Sequence, residues 1–447
     1  MQLKNVIDSP CGVRYMLDEL ELQSGYARRW LLDRPMMTSA NEIAAAYSLL
    51  RQFDDFIARV DATHLNTLRF RLQGLKDIRT TIQNLRQRAT LDDIELFEVK
   101  HLAILSTDVA RLLNEQGMAN AVEIPALDKV ITILDPDGMK IATFYVYDAY
   151  CAELRDLRAQ MRQHPEQQED LLLQANELEL GVRQDLSHQL HPFAEAIEQA
   201  QVALARIDVL LAQADQCRKM GLCYPIISTD ATTHYHAMFH PQVRAALANV
   251  KRAFQPVDIA YGMNSTLITG ANMGGKTVVL KTLTLCQYLF QFGFGIPAHD
   301  ATIAVKDEIY FCIGDDQSVE RGLSSFAAEM KSIDRVVQAS RSDLRILALI
   351  DEPARTTNPT EGTALVTALL RLMEDRPVSL VMTTHYDIDP GDARCLRVKG
   401  FENGTMDYTL VEVEDGEAPH EALNIAQSLG IDPEWLAYAR SLLNHPD

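Results

Sequence analysis

The chain has seven cysteines but no Cys-x-x-Cys pair. The spacing suggests no disulfide framework. The odd, scattered count fits a reducing cytoplasm in which Cys151, Cys286 and Cys395 serve as small buried apolar groups. No apolar run reaches the ~18 residues of a membrane span, and the opening Met-Gln-Leu-Lys-Asn-Val lacks the apolar core of a signal peptide. A soluble, cytoplasmic protein with no membrane partner is the expectation. Positive charge is in deficit: 42 Lys and Arg stand against 62 Asp and Glu, a formal net charge of -20. Such a surface repels a nucleic-acid backbone on average and leaves a local basic groove as the way to hold one.

What is present is ordinary globular material, 47% hydrophobic and 23% charged over 447 residues, a length that predicts two or three domains. Residues 13–118 read as amphipathic helices, with Ile43, Ala46, Leu49 and Leu50 on one face of the segment 41–53. Residues 130–134 and 141–146 flank Asp135-Pro136-Asp137-Gly138 and read as a β-hairpin. Helical periodicity returns over 147–162. Beyond the turn at His164-Pro165-Glu166, the segments 169–190 and 193–212 read as long helices, either a projecting antiparallel arm or a coiled-coil pair. From about residue 257 short apolar runs at 265–269, 303–305, 309–312, 345–350 and 378–382 alternate with helical segments at 276–292, 325–339 and 361–374. Alternation of this kind predicts an α/β domain with a largely parallel sheet. A further strand at 408–412 and helical sequence over 420–443 close the chain.

The run at 265–269 leads directly into Gly-Ala-Asn-Met-Gly-Gly-Lys-Thr at 270–277. Strand, glycine loop and helix in this order form a phosphate-binding loop. Gly270, Gly274 and Gly275 let the backbone curl around phosphate oxygens, and the helix that follows points free N–H groups at them. Lys276 supplies a cation for the β- and γ-phosphates, and the Thr277 hydroxyl is a magnesium ligand. The run at 345–350 ends in Asp351 and Glu352, where Asp351 would hold the magnesium shell and Glu352 would activate the attacking water. His385 follows a third apolar run and would sense the γ-phosphate. Glu352, His385 and Lys276 are thus the catalytic candidates, while Thr277 and Asp351 are the metal candidates. His234, His236 and His240 are of metal-ligating type, but no neighbouring cysteine or carboxylate completes a tetrahedral set.

These motifs are narrower than the general pattern. Residues 267–277 carry the core Asn-Met-Gly-Gly-Lys; Asp315-Asp316 precedes Gly-Leu-Ser-Ser-Phe-Ala-Ala-Glu-Met at 322–330; Ile-Asp-Glu-Pro-Ala-Arg-Thr-Thr stands at 350–357 and Thr-Thr-His-Tyr at 383–386. In this order they resemble the MutS family of mismatch-recognition and related ATPases. The resemblance extends to residues 21–35 with Arg-Arg-Trp-Leu-Leu at 28–32, to Ile-Asp-Val-Leu-Leu at 207–211, and to His-Pro-Gln-Val at 240–243, which assigns His240 to the entry of the ATPase domain.

The resemblance implies an α/β ABC-type P-loop ATPase domain preceded by a mainly helical core and lever domain. Residues 1–225 would form core, lever and a shortened clamp, 226–425 the ATPase domain, and 426–447 a C-terminal helical dimerisation segment. ATP and Mg2+ are implied as cofactors, with Gly270, Ala271, Asn272, Met273, Gly274, Gly275, Lys276 and Thr277 around the phosphates and Phe254 stacked on adenine. A homodimer is implied in which Ser324 of one copy, supported by Ser325, meets the ATP of the other. ATP binding would close the pair and hydrolysis would loosen it.

Departures from the family pattern set further expectations. The sequence opens near the family's core domain, so mismatch-reading and connector domains are expected to be absent. Residues 164–193 stand where a clamp would be much longer, and no nuclease-like extension is expected after Asp447. Pro-Ala-Arg-Thr-Thr-Asn-Pro at 353–359 replaces the usual Gly-Arg-Gly-Thr-Ser. Direct mismatch recognition is not expected. Two functions remain open. One is a dimeric ATPase of mismatch repair or related DNA metabolism, with Arg155, Arg158, Arg162 and Arg183 as arm contacts interleaved with Glu153, Asp156 and Glu169. The other is an ATP-driven remodeller of a protein partner, because residues 351–362 resemble MutS-like proteins associated with reactivation of adenosylcobalamin-dependent aminomutases. A third reading, an ATP-stabilised scaffold, sits poorly with intact Lys276, Asp351 and Glu352.

Overall fold

Caps written into the sequence start several helices of the N-terminal half. The Ser24 hydroxyl accepts from Ala27 N–H, Asp61 accepts from His64 N–H, and Asp92 with Glu95 forms a reciprocal capping box. The computed structural model describes residues 1–141, 143–163, 168–270, 275–313, 325–402, 405–413, 423, 426–427 and 430–444. Its chain divides into two compact units, one of residues Leu20–Arg34 and Leu49–Asp215, the other of Met1–Glu19, Pro35–Ser48 and Gln216–Asp447.

The first unit is helical. It contains helices Gly25–Asp33, Ala62–Leu72, Arg79–Arg86, Asp93–Glu115, Asp128–Leu134, Ala152–Gln163 and Gln168–Leu190, with parts of Ala40–Arg59 and Ala194–Met220. Phe53, Phe56, Leu96 and Leu204 are fully buried in it. Asp208 is buried too, and it accepts the N–H groups of Gln23 and Ser24 and the Ser24 hydroxyl. Those three donors offset its desolvation, although burial still raises its pKa. A smaller core of Val146, Leu154, Leu157, Leu171 and Ala175 holds helices Ala152–Gln163 and Gln168–Leu190 together.

The β-hairpin reading of 130–146 is corrected here. Residues 128–134 form a helix, and no strand occurs among the described residues of 141–146. Leu127, Val130 and Leu134 recur at helical spacing and are buried. The Asp-Pro-Asp-Gly turn is instead anchored by a buried ion pair: Lys100 Nζ donates to Asp135 Oδ1 at 2.9 Å and to the Tyr147 hydroxyl at 2.9 Å. Lys140 N–H takes the other Asp135 oxygen at 2.8 Å.

Among the described residues the second unit carries ten strands: β1 Ile226–Ile227, β2 Thr233–Met238, β3 Val257–Tyr261, β4 Thr266–Thr269, β5 Asp300–Ile303, β6 Glu308–Ile313, β7 Ile346–Asp351, β8 Val378–Thr383, β9 Arg394–Glu402 and β10 Thr405–Val413. They form two sheets, in the orders β1-β5-β2-β3 and β10-β9-β4-β8-β7-β6. From β9 to β6 the larger sheet is parallel, and β10 joins it antiparallel at one edge. β4, β7 and β8 are buried along their whole length, which is why they read as continuous apolar runs. Helices Lys276–Phe292, Ser325–Ala339 and Pro359–Met373 provide the crossovers. The expected parallel α/β character is therefore present, beside a second mixed sheet whose β1 to β3 lay outside the sequence reading. Among the described residues no helix is long and apolar enough to cross a membrane. None of the seven cysteines forms a disulfide; Cys286 and Cys395 are buried, and Cys151 is partly exposed.

Helix Lys276–Phe292 is buried on nearly every side, including its polar residues. Gln291 Nε2 donates to the carbonyls of Met37 (2.7 Å) and Lys306 (2.6 Å), and Gln287 Nε2 donates to Gln291 Oε1 (2.7 Å). Lys306 itself is 1% exposed, and its Nζ donates to Ser379 Oγ on β8 at 2.6 Å. Burial, aided by the nearby Arg345 and opposed by Asp307, pulls the Lys306 pKa down to about 8 from 10.5. The folded state thus binds this proton less tightly than the unfolded chain, so stability rises with pH between those two values. Lys306→Met should remove a penalty of about 2–3 kcal/mol at pH 7. Urea denaturation should show the variant more stable at pH 7, with the advantage shrinking toward pH 10; an advantage independent of pH would refute a charge penalty.

Candidate nucleotide site

The parallel register brings three strand ends to one edge of the larger sheet. β8 lies between β4 and β7, with Ile268 opposite Thr383 and Ile350 opposite Met382. The carboxyl edge of such a sheet is where open α/β folds bind ligands. Gly270 leaves β4 with φ +138°, and a Cβ there would lie 3.1 Å from Val398 Cβ. Gly275 enters helix Lys276–Phe292 with φ +74°, and a Cβ there would lie 3.1 Å from the Tyr408 ring. Both positions require glycine for backbone shape and for room.

Asp351, at the end of β7, accepts two hydroxyls. Thr277 Oγ1 donates to Oδ2 at 2.7 Å and Thr383 Oγ1 donates to Oδ1 at 2.6 Å. Thr383 Oγ1 in turn accepts Glu352 N–H at 2.9 Å. Lys276 Nζ is 4% exposed, donates to Gly270 O at 2.7 Å and lies 3.3 Å from Glu352 Oε1. Lys276, Thr277, Asp351 and Glu352 therefore converge, as expected from the sequence. The Thr277 hydroxyl and the Asp351 carboxylate are hard oxygen donors of the kind that suits magnesium.

Glu352 has φ +44° and Ala354 φ +61°, left-handed conformations that cost a non-glycine residue about 1 kcal/mol or more each. Neighbouring groups hold the turn in place. Ala354 N–H donates to Glu329 Oε1 at 3.1 Å, and the Tyr386 hydroxyl donates to Ala354 O at 2.7 Å. Burial raises the Glu329 pKa. Arg355 approaches Glu352 Oε2 at 3.4 Å. Backbone strain of this kind concentrates at functional turns.

His385 is partly buried and packs on the Tyr386 ring at 4.3 Å. Its pKa is lowered, first by burial and then by Lys276 and Arg355, against the opposing pull of Glu352. Lys276, Arg355 and Glu352 are groups of the converged site, so His385 lies within electrostatic reach of it. Phe254 is partly buried. Its neighbour Gln255 grips β10, donating to Asp407 Oδ1 at 2.8 Å and to Thr409 Oγ1 at 3.2 Å while accepting Tyr408 N–H at 3.1 Å. The strand that Gln255 grips is the one whose Tyr408 covers Gly275. Ala271, Asn272, Met273, Gly274 and Ser324 lie outside the described residues.

His240 stands apart from the other two histidines, which share the exposed face of β2. His240 is buried, bonds Cys11 O through Nε2 at 3.1 Å, and has its pKa pushed down to about 4 by burial. It precedes helix Pro241–Asn249 and takes no part in a cluster with His236. Thr383 opens the Thr-Thr-His-Tyr motif but was given no role from the sequence, and Tyr408 was not singled out. A hydroxyl closing an otherwise apolar strand was the signal for Thr383; nothing local pointed to Tyr408.

Residues 266–402 match the family profile of MutS domain V. The Endonuclease MutS2 of Caldicellulosiruptor saccharolyticus is 28% identical over 408 residues, covering 87% of this chain and 49% of that protein. That of Finegoldia magna is 30% identical over 62% of this chain and 36% of its own. That of Lactiplantibacillus plantarum is 32% identical over 59% and 34%. The chain spans about half the length of the first of these relatives, or less of the others. With domain V matched where Lys276, Asp351, Glu352 and Thr383 meet, the chain belongs to the MutS family.

Proposed function

We propose that this chain is an ABC-type P-loop ATPase that hydrolyses ATP with magnesium and passes the resulting motion to its helical part. The observation that carries this reading is Asp351 held by Thr277 and Thr383, with Glu352 beside Lys276. Lys276 would exchange its internal partners for phosphate oxygens, and Glu352, released from that contact, would orient and deprotonate water. Magnesium, held by Thr277 and Asp351, would neutralise phosphate charge. His385 would meet the γ-phosphate. Gly270, Gly275 and the residues between them would wrap the phosphates, and Phe254 would stack on the base.

By family likeness the working unit is a head-to-tail homodimer, with Ser324 of a second copy completing the site. Residues 1–225 would act as core and lever, 226–425 as ATPase domain and 426–447 as dimerisation segment.

DNA metabolism, mismatch repair included, is the first target proposed, since the relatives matched are named as endonucleases. A specific observation favours a protein target as the second reading. The arm arginines are engaged: Arg158 bonds Asp148 (2.6 Å) and Glu179 (2.8 Å), Arg183 bonds Asp93 (3.2 Å), and Arg155 bonds Asp156 (3.2 Å). Leu172, Leu173 and Leu180, by contrast, are exposed. Such a surface suits an ATP-driven remodeller of a protein, such as a reactivation factor for an adenosylcobalamin-dependent aminomutase, better than a phosphate backbone.

ATPase turnover with and without duplex or branched DNA tests both readings. Lys276→Ala should abolish hydrolysis; retained turnover would remove the nucleotide assignment. Glu352→Gln should trap the closed dimer, and failure of that trapped form to bind any DNA at low salt would leave the protein target. Thr383→Val keeps the shape and deletes the hydroxyl that orients Asp351 and Glu352. Turnover should fall about 10- to 100-fold with a higher magnesium requirement, measured by phosphate release across a magnesium titration. An unchanged magnesium dependence would show that Thr383 does not orient the site.

A further inference from the structure

Three adjacent strands of the smaller sheet gather histidines and carboxylates, none of them a residue of the nucleotide site. β2 pairs with β5 so that His236 stands opposite Asp300. On its other side, the β2 ladder with β3 is broken between Tyr235 and Met238. Ala237 takes φ +49° in that bulge, and its N–H donates to Asp258 Oδ1 at 2.7 Å. The same oxygen lies 2.9 Å from His236 Nδ1. His299 N–H donates to the His236 carbonyl at 2.9 Å, which sets the two imidazoles edge to face with ring centres 5.4 Å apart. His299 Nδ1 is 2.9 Å from Asp300 Oδ2. One ligating atom from each of His236, His299 and Asp300 lies within 4.8 Å of the others.

We propose that His236, His299 and Asp300 bind a divalent transition-metal ion, with Asp258 as the carboxylate that orients His236. The Asp258 contact fixes the Nδ1–H tautomer and leaves the Nε2 lone pair for the ion, the usual carboxylate–histidine–metal relay. Two imidazoles and one carboxylate select zinc, nickel, cobalt or copper over magnesium and calcium, which take oxygen donors. All three ligands are exposed, so the remaining coordination positions open to water. His236, Asp258 and Asp300 also line a cavity of about 480 Å³, as do Arg394 and Glu412. A bound ion would cross-link β2 and β5 directly and β3 through Asp258, at the bulge where the β2–β3 ladder lapses.

The test uses tag-free, EDTA-stripped protein titrated calorimetrically with zinc chloride and, separately, nickel chloride. Cysteine thiols also take zinc, so the measured quantity is the difference between parent and variant. His236→Ala/His299→Ala should lose one equivalent, and Asp258→Asn should bind the same equivalent about 10- to 100-fold more weakly. Without metal, parent and double variant should melt at the same temperature, since both histidines are exposed; with one equivalent of zinc only the parent should gain stability. The proposal is overturned if the double variant binds with unchanged stoichiometry and affinity, or if millimolar magnesium displaces the ion. An unaltered affinity in Asp258→Asn would overturn the orienting role of Asp258.

Discussion

The Asp351 carboxylate is the hinge on which the site's geometry turns. It is only 9% exposed, and burial of an ionised group is tolerated where hydrogen bonds replace lost water. Its two oxygens take hydroxyls from two different places in the chain, Thr277 on the helix after β4 and Thr383 at the end of β8. Because β8 lies between β4 and β7, this one carboxylate ties three strand ends together. Side chains alternate across a sheet, so a slip of one residue in β8 would turn Thr383 to the opposite face and leave Asp351 Oδ1 and Glu352 N–H without it. The left-handed Glu352 is the next consequence: the chain must turn immediately after β7 for its N–H to reach Thr383 and its carboxylate to reach Lys276.

That arrangement needs a rigid support, and the helix beginning at Lys276 supplies it in an uncommon way. A helix buried on nearly all sides has no solvent face on which to leave polar residues, yet Gln287 and Gln291 are both fully buried. Their amides are spent on backbone carbonyls of Met37, Ala304 and Lys306, groups that regular secondary structure leaves unpaired. The helix is thereby fixed in rotation as well as position, which keeps Lys276 and Thr277 aimed at the sheet edge.

Much of the site was legible because its signals are local. Gly270 and Gly275, the apolar run ending in Asp351-Glu352, and helices 276–292 and 325–339 all follow from patterns confined to a few neighbouring residues. The failures are non-local. Residues 130–134 are β-branched in part and were read as a strand, but Val130 and Leu134 lie one helical turn apart, and the neighbouring turn answers to Lys100, 35 residues away from Asp135. β2, with the sequence Thr-His-Tyr-His-Ala-Met, does alternate, with Thr233 and Tyr235 buried and His234 and His236 exposed. Its histidines drew attention to metal chemistry instead of to period. His240 was grouped with them by proximity in sequence, whereas the bulge at Ala237 and the pairing with β5 bring His299 to His236 from more than sixty positions away. A cluster assembled by strand pairing leaves no spacing to read.

The helical unit makes the same point about charge. Arginines interleaved with acids over 153–169 suggested a solvated face, and the structure shows the stronger form of that suggestion, since the acids that hold Arg158 and Arg183 include Glu179 and Asp93 from other helices. A phosphate approaching Arg158 must displace two carboxylates that already supply charge-assisted bonds, then remain beside them once displaced. An apolar partner meets no such competition at Leu172, Leu173 and Leu180, where water is all that must leave. The net charge of -20 acts in the same direction over longer range. For nucleic acid to bind this part of the molecule, the ion pairs must first be rearranged; for a protein, they can stay as they are and frame the contact.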